Sequence, residues 1–170
     1  GVPVEKYKLE DVTRFESPVT RMLLAGRISV QKGQMDAIKA VELLMRRGIG
    51  NVSLTLVGQG ESKEYLEYVK SYVKEHKLEQ KICILEHHDD LRELRRQCDI
   101  GLTCSKKEAF GRVTVENMLA KMLVIGANTG GTLEIVEDGY NGLLYEEGNP
   151  ESLVNQIEYT MSHRDKAQQM

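Results

Sequence analysis

Short apolar runs alternate with segments of helical period along almost the whole chain, and this alternation narrows the fold more than any single residue does. The runs cover residues 20–26, 52–57, 81–85, 99–104, 122–126 and 142–145. Between the first two, Ala37, Ile38, Val41, Leu44 and Met45 recur at helical spacing within residues 35–47. Tyr65, Leu66, Val69, Tyr72 and Val73 line one side of residues 62–76, an amphipathic helix with a charged outer face. Leu91, Leu94 and Arg95 mark a short helix after Asp89-Asp90, and residues 113–121 read as another. Residues 132–137 make one helical turn or two, and Pro150 opens a last helix. Strands that alternate with helices predict an α/β fold, a Rossmann-like doubly wound parallel sheet of about six strands.

The 170 residues suit one domain of ordinary size, with 41% apolar and 29% charged side chains, a globular composition. No apolar run is long enough to span a bilayer. The net charge of −3 comes without a basic block, so no nucleic-acid partner is expected. Cys83, Cys98 and Cys104 sit in or beside apolar runs at wide spacing, which predicts reduced core thiols, neither disulfides nor zinc ligands. Residues 1–18 show no clear period and read as an arm or interdomain linker remnant, with residues 19–170 as the folded domain. The start at Gly1-Val2-Pro3, without methionine, reads as a cut from something larger.

Doubly wound sheets bind ligands beyond the carboxyl ends of their strands, near the switch in strand order. Arg27, Lys32, Gly58-Gln59-Gly60, residues 86–90, residues 105–112 and Thr129-Gly130-Gly131 all follow expected strands and should gather at that edge. Residues 105–117 stand out among them. Glu108 and Glu116 flank Phe110-Gly111, and a helix starting near Gly111 would leave the amides of residues 111–113 open between two carboxylates. Open amides favour an anion, and carboxylates accept hydrogen bonds from hydroxyls. A nucleoside diphosphate-sugar, with phosphates between two hydroxylated rings, fits that pattern.

Five features together resemble the C-terminal, donor-binding domain of the retaining GT-B glycosyltransferases, specifically glycosyltransferase family 4, the group 1 transferases. They are Gly26-Arg27 with Lys32-Gly33; Leu56-Val57-Gly58-Gln59-Gly60; the stretch from Glu108 to Glu116; Gly130-Gly131-Thr132-Leu133-Glu134; and Asp138-Gly139-Tyr140-Asn141-Gly142. The resemblance implies one half of a GT-B fold, with the N-terminal acceptor domain absent from this chain. It implies that Arg27 and Lys32 hold the donor diphosphate, that Glu108 lies near the transferred sugar and that Glu116 binds the ribose. Phe110, Gly111, Arg112 and Val113 would face phosphates and sugar, Gly26, Gly58 and Gly60 would line the donor, and residues 86–91 would border the nucleobase. A UDP- or GDP-linked sugar is the expected substrate, with no cofactor and no metal. The whole protein is expected to be cytoplasmic, with peripheral association at the inner membrane face and a place in polysaccharide or glycolipid synthesis. Ala109 and Arg112 replace the family's usual glycine and aliphatic residue, and Lys121-Met122-Leu123-Val124 replaces its Gly-x-Pro-Val.

Each residue also has a plainer reading. Arg27, Lys32 and Glu108 are ordinary loop charges in isolation, Glu116 a surface helix glutamate, Phe110 a ring packed beneath its loop, and Gly130-Gly131 a tight turn. His87-His88-Asp89-Asp90 suits a metal site less well than a loop with a helix cap. Tyr65, Tyr68 and Tyr72 suit core and rim packing better than a sugar platform. Two other functions stay open: another GT-B sugar-nucleotide enzyme such as a 2-epimerase, and a non-catalytic module that binds nucleotide or a partner protein.

Overall fold

The computed structural model describes residues 2–88 and 90–170. Gly1 and Asp89, which belong to the opening stretch and the histidine-aspartate run above, lie outside the described residues. Six strands form one sheet: β1 (Thr20–Ala25), β2 (Val52–Val57), β3 (Ile82–Leu85), β4 (Ile100–Thr103), β5 (Leu123–Ala127) and β6 (Leu143–Tyr145). All pairings are parallel, in the order β3-β2-β1-β4-β5-β6. The order reverses at β1 and β4, where Met22 pairs with Ile100 and Leu23 with Gly101. A doubly wound sheet opens its ligand crevice at such a reversal.

Eight helices accompany the strands among the described residues: α1 (Val4–Tyr7), α2 (Gln34–Arg46), α3 (Lys63–Glu75), α4 (Leu91–Gln97), α5 (Arg112–Leu119), α6 (Gly130–Ile135), α7 (Pro150–Ser162) and α8 (Arg164–Gln169). The starts follow capping chemistry. Ser62 Oγ accepts from Tyr65 N at 3.1 Å to open α3, and Asn149 Oδ1 accepts from Glu151 N and Ser152 N to open α7. Met22 and Leu24 of β1 face a large core with Ile38, Val41 and Leu44 of α2 and Leu153, Val154 and Ile157 of α7. Leu23 points the other way, to a smaller core with Leu9, Val57, Cys98, Ala120 and Met122. Burying each such aliphatic side chain stabilises the fold by about 1.5–3 kcal/mol.

The N-terminal segment is packed. Leu9 and Phe15 are buried. The Arg14 guanidinium donates to the carbonyls of Arg96 (2.6 Å), Cys98 (2.7 Å), Ala120 (2.5 Å) and Lys121 (3.3 Å). Asp99, at the foot of β4, accepts from Phe15 N and Arg21 N, both at 2.9 Å, and ties this segment to the sheet.

One expectation about side chains needs correction. Cys98 and Cys104 are buried, but Cys83 is exposed, because β3 is an edge strand and Cys83 points away from the core that Ile82 joins. Tyr65 and Tyr72 pack on the core and half-exposed Tyr68 lies at the rim with its ring 5.8 Å from that of Tyr65, the core and rim packing expected.

Candidate functional site at the strand ends

The loops after β1, β2, β4 and β5 meet backbone to backbone at the carboxyl edge. Gly26 N donates to Val57 O, and a β-carbon at Gly58 would collide with the Gly26 carbonyl, so only glycine allows that approach. Ile28 bridges to Gly60. Lys106 N donates to Gln31 O at 2.9 Å, and Gly131 N donates to Glu108 O at 2.6 Å. A β-carbon on Gly130 would collide with that same Glu108 carbonyl, so this glycine pair does more than turn the chain.

The β1–α2 loop is braced from within. Buried Gln34 donates from Nε2 to Arg27 O at 2.8 Å and accepts from Ser29 N at 3.2 Å, while Ser29 Oγ accepts from Lys32 N at 3.1 Å. This leaves the Arg27 side chain exposed and brings Lys32 Nζ to 3.8 Å from Glu108 Oε2. Two side chains expected at one rim therefore meet directly.

Glu108 also accepts from Gly111 N, through Oε1 at 3.2 Å. That amide was expected to be open and is not. The helix begins one residue later, with Gly111 in the left-handed conformation at the N-cap (φ 66°) and no side chain capping it. The open amides are accordingly those of Arg112, Val113 and Thr114. Arg112 is exposed beside them. Phe110 is 86% exposed, which removes the reading of a ring packed beneath its loop. Glu116, in the second turn of α5, is buried beside Arg95, so it is not a surface glutamate.

Below the loops lies a buried polar group. Tyr145 Oη donates to Asp36 Oδ2 at 3.2 Å. Burial raises the Asp36 carboxyl above its usual range, opposed by that bond, and pushes the Cys104 thiol up to about 12. On the far side, a cavity of about 430 Å³ opens between α1, the β3–α4 loop and α4, lined by Lys6, Tyr7, His88, Leu91, Arg92 and Arg95. His88 Nδ1 accepts from Asp90 N at 3.1 Å, and Asp90 Oδ1 caps α4 at Glu93 N, which is the loop-and-cap arrangement.

The sequence reading missed Gln34, Tyr7, Asn117 and the burial of Arg95. A signal for Arg95 existed: it falls four residues after Leu91, on the apolar stripe of α4.

Comparison with known proteins places this geometry in a family. Residues 7–170 match the model for glycosyl transferases group 1. Over 138 residues the chain is 33% identical to an uncharacterized glycosyltransferase of Methanocaldococcus jannaschii, covering 79% of this chain and 36% of that protein. The crystal structure of Anabaena HepE in complex with UDP and glucose superposes with a TM-score of 0.88 at 27% identity, over 99% of this chain and 48% of that one. The C-terminal domain of a group 1 glycosyl transferase, LpcC of Francisella tularensis, shares the fold at 22% identity and a TM-score of 0.85, and there the match covers 92% of the other chain. The chain thus spans about a third to a half of its full-length relatives.

Proposed function

The chain belongs to the group 1 glycosyl transferases, and from that premise we propose that it is the donor-binding domain of a retaining, family 4 enzyme that transfers a hexosyl group from a UDP- or GDP-sugar. The observation that carries this reading is the meeting of Lys32 and Glu108 at the sheet's switch point, next to the uncapped start of α5. The donor's pyrophosphate would lie across Lys32, Arg27 and the amides of Arg112, Val113 and Thr114. The sugar would sit by Glu108, and the ribose by Glu116. The cavity beside His88 and Tyr7 has room for the nucleobase.

Transfer breaks the bond between sugar C1 and a phosphate oxygen, so negative charge grows on the departing diphosphate. Fixed cations and amide dipoles already aimed at that charge lower the barrier. A helix start contributes roughly 0.3–1 kcal/mol, and a well-placed charged donor roughly 3–4 kcal/mol. The two side chains therefore outweigh the helix, and they supply the positive charge that a metal provides in other transferases. The exposed Arg112 adds a further cation at the phosphate end.

In the whole protein a separate N-terminal domain would bring the acceptor, at the cytoplasmic face of a membrane, in glycolipid or polysaccharide synthesis. This chain alone would bind donor weakly and transfer nothing. Calorimetric titration with UDP-, GDP- and ADP-sugars tests the reading. Saturable binding of one of them, weakened in Lys32→Ala, is expected. No binding of any of the three, or turnover by this chain alone, would contradict it.

A further inference from the structure

Arg95 is 2% exposed, yet its partners are unusual for a buried guanidinium. Nε donates to Asn117 Oδ1 at 3.2 Å, Nη2 lies 3.7 Å from Glu116 Oε1, and the Tyr7 ring centre is 5.4 Å away. Among the described residues, no backbone carbonyl accepts a hydrogen bond from it. Arg14, the other buried arginine, is spent entirely on backbone carbonyls, which is a structural role. Arg95 instead reaches two consecutive side chains of α5.

Neighbours i and i+1 on a helix point apart. Only a rigid fork can engage both, and a guanidinium is one. Gly101 of β4 lets Asn117 lie tight against the sheet, since a β-carbon there would come within 2.9 Å of Asn117 Cβ. Asn117 thus anchors Arg95, and Arg95 meets Glu116 through Oε1. Among the described residues, no donor bonds the other oxygen, Oε2. Arg95 also lines the cavity beside the β3–α4 loop.

We propose that Arg95 is a positioning residue of the donor site: through the fork shared by Asn117 and Glu116 it holds the Glu116 carboxylate toward a vicinal diol, and so sets the preference for ribose over deoxyribose in the bound nucleotide. This rests on the donor-site reading above. Arg95 touches the carboxylate and not the sugar.

The test is binding of UDP and GDP, and of their 2′,3′-dideoxy forms, to this chain and to Arg95→Met, with melting curves of both proteins. The wild type should prefer the ribose form by roughly 10- to 100-fold, the range of a charged hydrogen bond. In Arg95→Met the preference should fall below about threefold, while affinity for the dideoxy form stays within about twofold. Equal losses for both forms, with the preference intact, mean that Arg95 only supports the fold and overturn the proposal. Should Arg95→Met fail to fold, Arg95→Lys keeps the charge but cannot span both acceptors. It should show an intermediate preference, and an unchanged one contradicts the proposal. A wild type that binds neither UDP nor GDP sinks the donor-site reading itself. One that binds without preferring ribose sinks the role of Glu116 and Arg95 alone.

Discussion

Lys32 Nζ lies 3.8 Å from Glu108 Oε2, although the two residues belong to different loops, one after β1 and one after β4. Neither side chain is sealed from solvent, at 37% and 17% exposure, so the pair is worth little to stability. Its consequence is positional: a cation and a carboxylate are held at the point where the strand order reverses.

Lys32→Ala in the full-length enzyme should lower kcat by roughly 10²–10³ and leave the melting temperature almost unchanged, if Lys32 stabilises the leaving diphosphate. Steady-state kinetics with a saturating donor measure this. A rate within twofold or so of wild type would remove Lys32 from the mechanism.

Glu116→Ala should act on affinity. Losing a charged hydrogen bond to ribose costs about 1.5–3 kcal/mol of nucleotide binding. The variant also leaves buried Arg95 with one polar partner fewer, so its melting temperature should fall too. Equal affinity in titrations of mutant and wild type would take Glu116 out of the site.

Arg14→Ala should be among the most damaging changes far from the site. It strands the carbonyls of Arg96, Cys98 and Ala120, which the guanidinium now satisfies. The Cys98 and Ala120 bonds are buried, and each orphaned buried group costs about 1–3 kcal/mol, so a loss of at least about 2 kcal/mol is expected in denaturant unfolding. A loss below about 1 kcal/mol would mean that water replaces the side chain.

The thiols should divide by burial. Burial pushes Cys98 up to about 11 and Cys104 up to about 12. Only the thiolate reacts, and both pKa values lie above the working pH. At pH 8 about one Cys98 in 10³ and about one Cys104 in 10⁴ is therefore ionised, and both are shielded as well. Exposed Cys83 should react quickly with a thiol reagent, the other two only on unfolding. Three fast thiols in the native protein would contradict this packing.

The sheet could be read from the sequence because each strand is a short apolar run and each helix keeps its own period; all six strands fall where those runs lie. The N-terminal segment could not. Leu9, Arg14 and Phe15 are buried without any regular spacing, and their hydrogen bonds run to residues 96–121, 164 and 168. At the site, loop positions followed from strand ends, which is why Lys32 and Glu108 could be brought together on paper. The partner of Glu116 could not be inferred the same way. Arginine is usually a surface residue, and only its place on the apolar stripe of α4, four residues after Leu91, hints that this one turns inward. The one-residue shift at Gly111 arose because Glu108 takes the first amide itself, a contact that depends on a loop conformation no pattern specifies.

The most direct measurement is a nuclear magnetic resonance titration of the isotopically labelled 170-residue chain with UDP and with GDP. Amide shifts should move in residues 27–33, 105–116 and 129–131, at the carboxyl edge where β1 and β4 adjoin, and stay put across α7 and α8. Saturable shifts confined to another face, or none with either nucleotide, would contradict the account.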